Sequence, residues 1–423
     1  MKNYRRVWLA MYVLANLTGA IYFSQSGQLD GDLIGYPLPS STILWIATVA
    51  VVVSYLIWMG PIFSLIDSIS VKTIFSRKIN SGNSIDSNVV GIFVLIVQAS
   101  FLVFNFQEGV NVAGSRLQSD SSIRYIWILL APDALFLVYY GIYRKSKSFG
   151  PNLILYLLSN ALRGWLGTWL IIFFIEGAYR LRERRLNWPL VMLMAVIFIP
   201  ILPVLIELKW VIRELGTAGI LSFSEVFLRL TTFVVEMDWW AEFSDIVRPI
   251  VMRFQHLANV VGIIDISTDL SRGLANGEFK YFFQEGLPQY TIERMLGISV
   301  LPDIHVALLT YLIPEQLPVD TITNTHVGLV GWLWISPYLI PFYFMYLLLL
   351  SFLGIWLAKK AGGQGLLIDI IWFSWLGYLM NGWFAAYLEF IQALVVLLCI
   401  RFLLTKLLRD QPHGGSHIYP QQV

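Results

Sequence analysis

Eight runs of about 20 residues, near 7–23, 43–65, 89–106, 124–143, 188–208, 334–358, 366–383 and 386–405, are almost wholly apolar. A helix of that length spans the hydrocarbon core of a bilayer. Backbone amides and carbonyls find no water there, so each run must satisfy its own hydrogen bonds as a helix. The chain is therefore expected to fold as an all-α, polytopic integral membrane protein. Charged residues make up only 13% of it, against about 25% in soluble domains, too few to cover a water-facing surface. The first run is long and many others follow, so it reads as an uncleaved helix rather than a cleaved signal. The single cysteine, Cys399, excludes an intrachain disulfide and a cysteine-ligated metal cluster.

Charge sets the orientation. Six short segments, Lys2/Arg5/Arg6, Lys72/Arg77/Lys78, Arg144/Lys145/Lys147, Arg180/Arg182/Arg184/Arg185, Lys359/Lys360 and Lys406/Arg409, hold 17 of the 29 basic residues. The positive-inside rule assigns all six to the cytoplasm, and both termini with them. The apolar region 151–179 then has two cytoplasmic flanks, yet its 29 residues are tight for two crossings. Ser159-Asn160-Ala161-Leu162-Arg163-Gly164 supplies a break, so two short helices meeting at a turn are expected. That gives about ten membrane helical segments. The division is 1–208, N-terminal membrane helices; 209–325, one large extracytoplasmic loop; 326–408, C-terminal membrane helices; and 409–423, a cytoplasmic tail.

The loop from Lys209 to Thr325 carries 8 Lys and Arg against 14 Asp and Glu. Its stretches 219–235 and 298–313 are strongly apolar, which predicts amphipathic helices lying on the membrane and packing on the bundle. Trp239-Trp240 stands where an interfacial anchor would. The net charge of +2 makes no case for nucleic acid, and none is expected as a partner.

A few polar residues stand out. Arg163 lies at the break of a membrane segment, where an arginine costs about 2.5–3.5 kcal/mol on insertion scales. The spacing of Pro249 to Gly262 predicts one helix with Arg253, His256 and Asn259 on one face. Guanidinium binds phosphate in a bidentate fork, and imidazole donates or relays protons. His326 is expected in the first turn of a helix capped by Asn324 or Thr325, where the positive helix end disfavours its charged form. His305, in an apolar run after Pro302-Asp303, is not among the candidates. The histidines show no metal-ligand spacing, and no phosphate-cradling glycine loop or nucleophile elbow occurs. No metal or other cofactor is expected.

These residues resemble the Wzy-type oligosaccharide repeat-unit polymerases, or O-antigen polymerases. Three features carry the resemblance: the broken segment ending in Arg163-Gly164, the run from Arg253 to Asp265 within a long late loop, and the glycine-spaced run from His326 as the chain leaves that loop. The resemblance implies a GT-C-like architecture in the bacterial inner membrane, with the active site on the periplasmic side. It implies transfer of a growing glycan from an undecaprenyl-diphosphate-linked donor onto a lipid-linked repeat unit, releasing undecaprenyl diphosphate. The partners are then the lipid-linked oligosaccharide, membrane lipids and, as a candidate, a chain-length regulator. On this reading Arg163, Arg253 and Arg248 hold the diphosphate, and His256 or His326 orients it or the acceptor hydroxyl. Arg272, Arg294, Trp239 and Trp240 add substrate contacts. The base is one of Glu236, Asp238, Glu242 and Asp245. An O-antigen ligase, a flippase for lipid-linked sugars, and a scaffold are the rival readings.

Overall fold

The computed structural model describes residues 1–71, 85–112, 119–165, 167–184, 188–217, 223–286, 296, 301–313, 325–362 and 365–409. The described elements are helical, with a lone bridge between Gln28 and Pro37. Among the described residues, six helices are long and apolar enough to cross a membrane: Lys2–Ser26, Ser41–Ser68, Ser87–Glu108, Arg124–Tyr143, Pro337–Lys360 and Phe384–Leu404. Two shorter apolar helices, Phe149–Leu162 and Leu366–Leu379, pack among them.

The local departures from the expected spans have identifiable causes. The segment 124–143 is interrupted at Ala131, whose φ is 44°, because Pro132 follows and opens a new helix. The helix from Ser41 widens into a π turn at Trp58–Ile62, around Gly60-Pro61. The break in 151–179 falls at the expected place: one helix ends at Leu162, Gly164 takes φ 74°, and the next helix begins at Gly167.

The helix placed at 188–208 continues to Thr217. Its 30 residues reach about 45 Å at 1.5 Å each, well beyond the ~30 Å hydrocarbon core. The boundary drawn at Lys209 therefore falls within a helix. Two amphipathic helices follow, Phe223–Glu236 and Trp239–Met252, and both pack back on it.

The segment that positions the site is the short helix Leu257–Asp265. Leu257, Ala258, Val260, Val261 and Ile263 are all buried, each larger side chain gaining about 2 kcal/mol over exposure to water. It packs on the first two long helices and on the turn at Gly31–Leu33. Tyr36 fastens that turn by donating to Asp265 at 2.7 Å. Gly31 has φ 75°, and a Cβ there would stand 3.0 Å from the Gln255 amide nitrogen, so glycine allows this close approach.

Candidate functional site

The expected helix over Pro249–Gly262 is two helices. One ends at Met252, with Pro249 in its last turn, and the next begins at Leu257. The new start is fixed by side chains. Asn16 Oδ1, from the first helix, accepts from the amides of His256 at 2.9 Å and Leu257 at 3.1 Å. Gln255 Oε1 accepts from the Ala258 amide at 2.9 Å. These amides are donors that a helix start leaves without partners. Arg253 and His256 therefore do not share a helical face. They lie on the connecting turn, and only Asn259 is helical.

The turn buries His256, at 1% exposure, with neither ring nitrogen hydrogen-bonded. Its ring lies parallel to that of Tyr55, centroids 6.2 Å apart, and edge-on to His326 at 5.2 Å. His326 is buried as well, and its Nδ1 has no partner. Its ring rests on Trp383, 4.1 Å away. His326 is not helical: residues 325–328 are irregular, with Gly328 at φ 71°, ahead of a one-turn helix at Trp332–Ile335. Gly328 donates to the Asn381 carbonyl and Leu329 to that of Met380, which holds the segment against the turn at 380–382. A Cβ on Gly382, where φ is 74°, would meet the Gly328 carbonyl at 2.9 Å.

Both imidazoles are driven toward neutrality. The pKa of His256 falls to about 3, through burial first and then through His326, with Asp32 opposing. That of His326 falls to about 3 through burial, then His305, then Arg253. The cause is desolvation, not the helix end proposed from the sequence. A neutral imidazole has one N–H and one lone pair. Buried polar atoms are rarely left without partners, so three such nitrogens side by side mark a place where a bound group or water completes the set.

Cations border this pocket. Arg253 is 60% exposed, and its guanidinium lies 3.7 Å from Asp32. Asp32 also accepts from Asn259 at 3.3 Å, and Asn259 donates to the His326 carbonyl at 2.9 Å. Lys209 and Arg213, one turn apart on the helix that ends at Thr217, both face the Trp210 ring, at 4.9 and 5.4 Å. The pKa of Lys209 is lowered to about 8 by burial and by the charges of Arg213 and Arg253. Sequence reasoning missed Lys209, Arg213, Asp32 and Trp383. The first two were legible as an i, i+4 cation pair; the other two lie far along the chain, and no local pattern links them to the site.

The remaining candidates scatter. Arg163, 6% exposed, does not join Arg253 as expected. It donates to both oxygens of Asp133 at 2.8 and 2.7 Å, to Asn160 and to the Ser159 carbonyl, and it lies over Phe101. Arg272 is exposed and paired with Asp269. Arg294 lies outside the described residues, and the side chain of Arg248 outside the described side chains. Trp239 and Trp240 are exposed at 46% and 79%. Of the proposed bases, Glu236, Asp238 and Asp245 are exposed and Glu242 is half-buried. Asp238 spends one oxygen capping the amides of Trp240 and Ala241. Asp32 is the carboxylate found against Arg253 and Asn259.

Comparison with protein-family models, with curated proteins and with solved structures finds no match in any of the three. What the chain does rests on the chemistry of this pocket.

Proposed function

We propose that the chain is a glycosyltransferase of the outer leaflet, polymerising lipid-diphosphate-linked oligosaccharide units. The observation that carries this reading is the pair of buried, uncharged histidines with open ring nitrogens beside the exposed Arg253. An anionic group on the cations and a hydroxyl on the imidazoles would complete such a site.

In the proposed reaction, Arg253, with Lys209 and Arg213 behind it, holds the donor diphosphate. The acceptor hydroxyl attacks the anomeric carbon, the bond from that carbon to the phosphate oxygen breaks, and undecaprenyl diphosphate departs with both bonding electrons. The hydroxyl proton passes to the open nitrogen of His326. Arg253 helps to hold His326 uncharged. A diphosphate seated on Arg253 offsets that field and raises the basicity of the ring as the substrate arrives. The cations also stabilise charge on the leaving diphosphate, a term that is large where donors are held in place. Arg163 takes no part in this scheme, because its guanidinium is engaged by Asp133.

Glycan analysis of cells lacking the protein tests the reading. A polymerase leaves chains of a single repeat unit attached; a ligase leaves none attached. Unchanged chain length would remove both.

A further inference from the structure

His305 and Glu285 form a buried pair next to the site, 7% and 1% exposed. His305 Nε2 lies 3.3 Å from Glu285 Oε2, and Nδ1 lies 3.1 Å from the Thr325 carbonyl. The Thr325 amide in turn donates to the His305 carbonyl at 3.0 Å. A carbonyl only accepts, so Nδ1 carries a hydrogen. The contact from Nε2 to a carboxylate is attractive only with a second proton between them. His305 and Glu285 together therefore hold one shared proton, and His305 grips Thr325 by both of its backbone groups. His326 is the next residue.

We infer that the His305–Glu285 pair is a positioning device: it clamps Thr325 and so aims the His326 ring at the pocket. Of the other ties on this segment, those from Asn259 to the His326 carbonyl, from Gly328 to Asn381 and from Leu329 to Met380 involve no titrating group, and that from Tyr343 to the Leu329 carbonyl involves a phenol. The His305 tie is the one made by an imidazole. Neighbouring charges are Asp303, paired with Lys280 at 3.4 Å, and His326 itself, with Tyr343 and Tyr346 on the Glu285 side. Glu285 raises the pKa of His305 above the ordinary histidine value against the opposing effect of burial. The clamp is thus complete at neutral and lower pH. As pH rises through the raised pKa, Nε2 loses its proton and turns a lone pair on the carboxylate, so the ring keeps its Nδ1–H bond to Thr325 but loses the Glu285 anchor that fixes its orientation.

The catalytic consequence rests on the proposed function, but the clamp does not, so its test needs no substrate. The chain has five histidines, few enough for nitrogen-15 histidine spectra of the full protein in nanodiscs to be assigned by single substitutions. At pH 7, His305 should show both ring nitrogens protonated and His326 should be neutral. As pH rises, the His326 resonances should shift with the same midpoint as His305. Glu285→Gln should lower that midpoint by about one pH unit or more. In His305→Asn, which keeps a donor toward Thr325 but holds no proton, the His326 resonances should stay constant through the alkaline range. A neutral His305 at pH 7, or His326 resonances indifferent to the His305 proton, would overturn the inference. Coupled titration in a protein that never extends a glycan would leave the clamp standing and remove the polymerase reading. If both hold, kcat should follow the His305 midpoint with KM unchanged.

Discussion

Two buried polar clusters of this chain differ in one respect. Asp369, at 0% exposure, takes Arg5 on one oxygen at 2.6 Å and Arg182 on the other at 2.5 Å. It ties the first helix, the helix Gly167–Arg182 and the helix Leu366–Ser374 together at the end assigned to the cytoplasm, and every group has a partner. His256 and His326 are buried too, at 1% and 9% exposure, but both ring nitrogens of His256 and Nδ1 of His326 have no partner. The two clusters are alike in burial and differ in how far their polar atoms are paired. A saturated cluster holds helices in place, whereas on the function proposed above the unsaturated one takes up substrate.

That contrast can be broken experimentally. Asp369→Asn strands two arginines and should cost about 3 kcal/mol, the low end for a broken buried pair because Arg182 is partly exposed. The readout is thermal unfolding in detergent, and the activity of the surviving folded protein should be near normal. His326→Phe should do the reverse. It keeps the ring volume, leaves the unfolding temperature unchanged or higher, and lowers elongation by about 10²-fold or more, as loss of a proton-transfer group does.

Arg163 tests the contrast at a third place. Its pairing with Asp133 puts it with the saturated clusters. Arg163→Ala should destabilise by removing one partner of a buried pair. The double variant Arg163→Met with Asp133→Leu should recover both folding and elongation, since apolar replacement of a whole pair is commonly tolerated. Recovered folding with elongation still absent would return Arg163 to the active site. Arg253→Ala comes next in size. At 60% exposure it should change stability by no more than about 0.5 kcal/mol, while KM for a lipid-diphosphate donor rises about tenfold, the worth of one charge-assisted phosphate contact.

A separate effect is on stability against pH. The folded pKa values of His256 and His326 are lowered to about 3, below the ~6.5 of an unfolded chain. In that interval the unfolded chain binds more protons. Stability is therefore complete above about 6.5 and is lost as pH falls toward 3. Replacing both residues with phenylalanine should flatten that acid slope in the unfolding temperature.

The sequence made the membrane helices legible because apolar length is a local property. The break at Arg163–Gly164 was legible for the same reason, from polar and glycine residues interrupting an apolar run. The site was legible only in its types. Arg253, His256 and His326 do lie near one another, but their supports were not seen. A helical period through 249–262 is indistinguishable from two helices until Asn16, some 240 residues earlier, caps the second one. Arg163 looked unpaired because Asp133, 30 residues away on another helix, cannot be matched to it by spacing. His305 was passed over because its partners, Glu285 and Thr325, each lie 20 residues from it.

The most direct measurement is chain growth by purified protein in proteoliposomes given a defined lipid-diphosphate oligosaccharide. A ladder of products with the wild-type protein, and only the starting unit with an equally stable His326→Phe protein, is the predicted result. Equal ladders from both, or substrate crossing the bilayer without growth, would contradict the account.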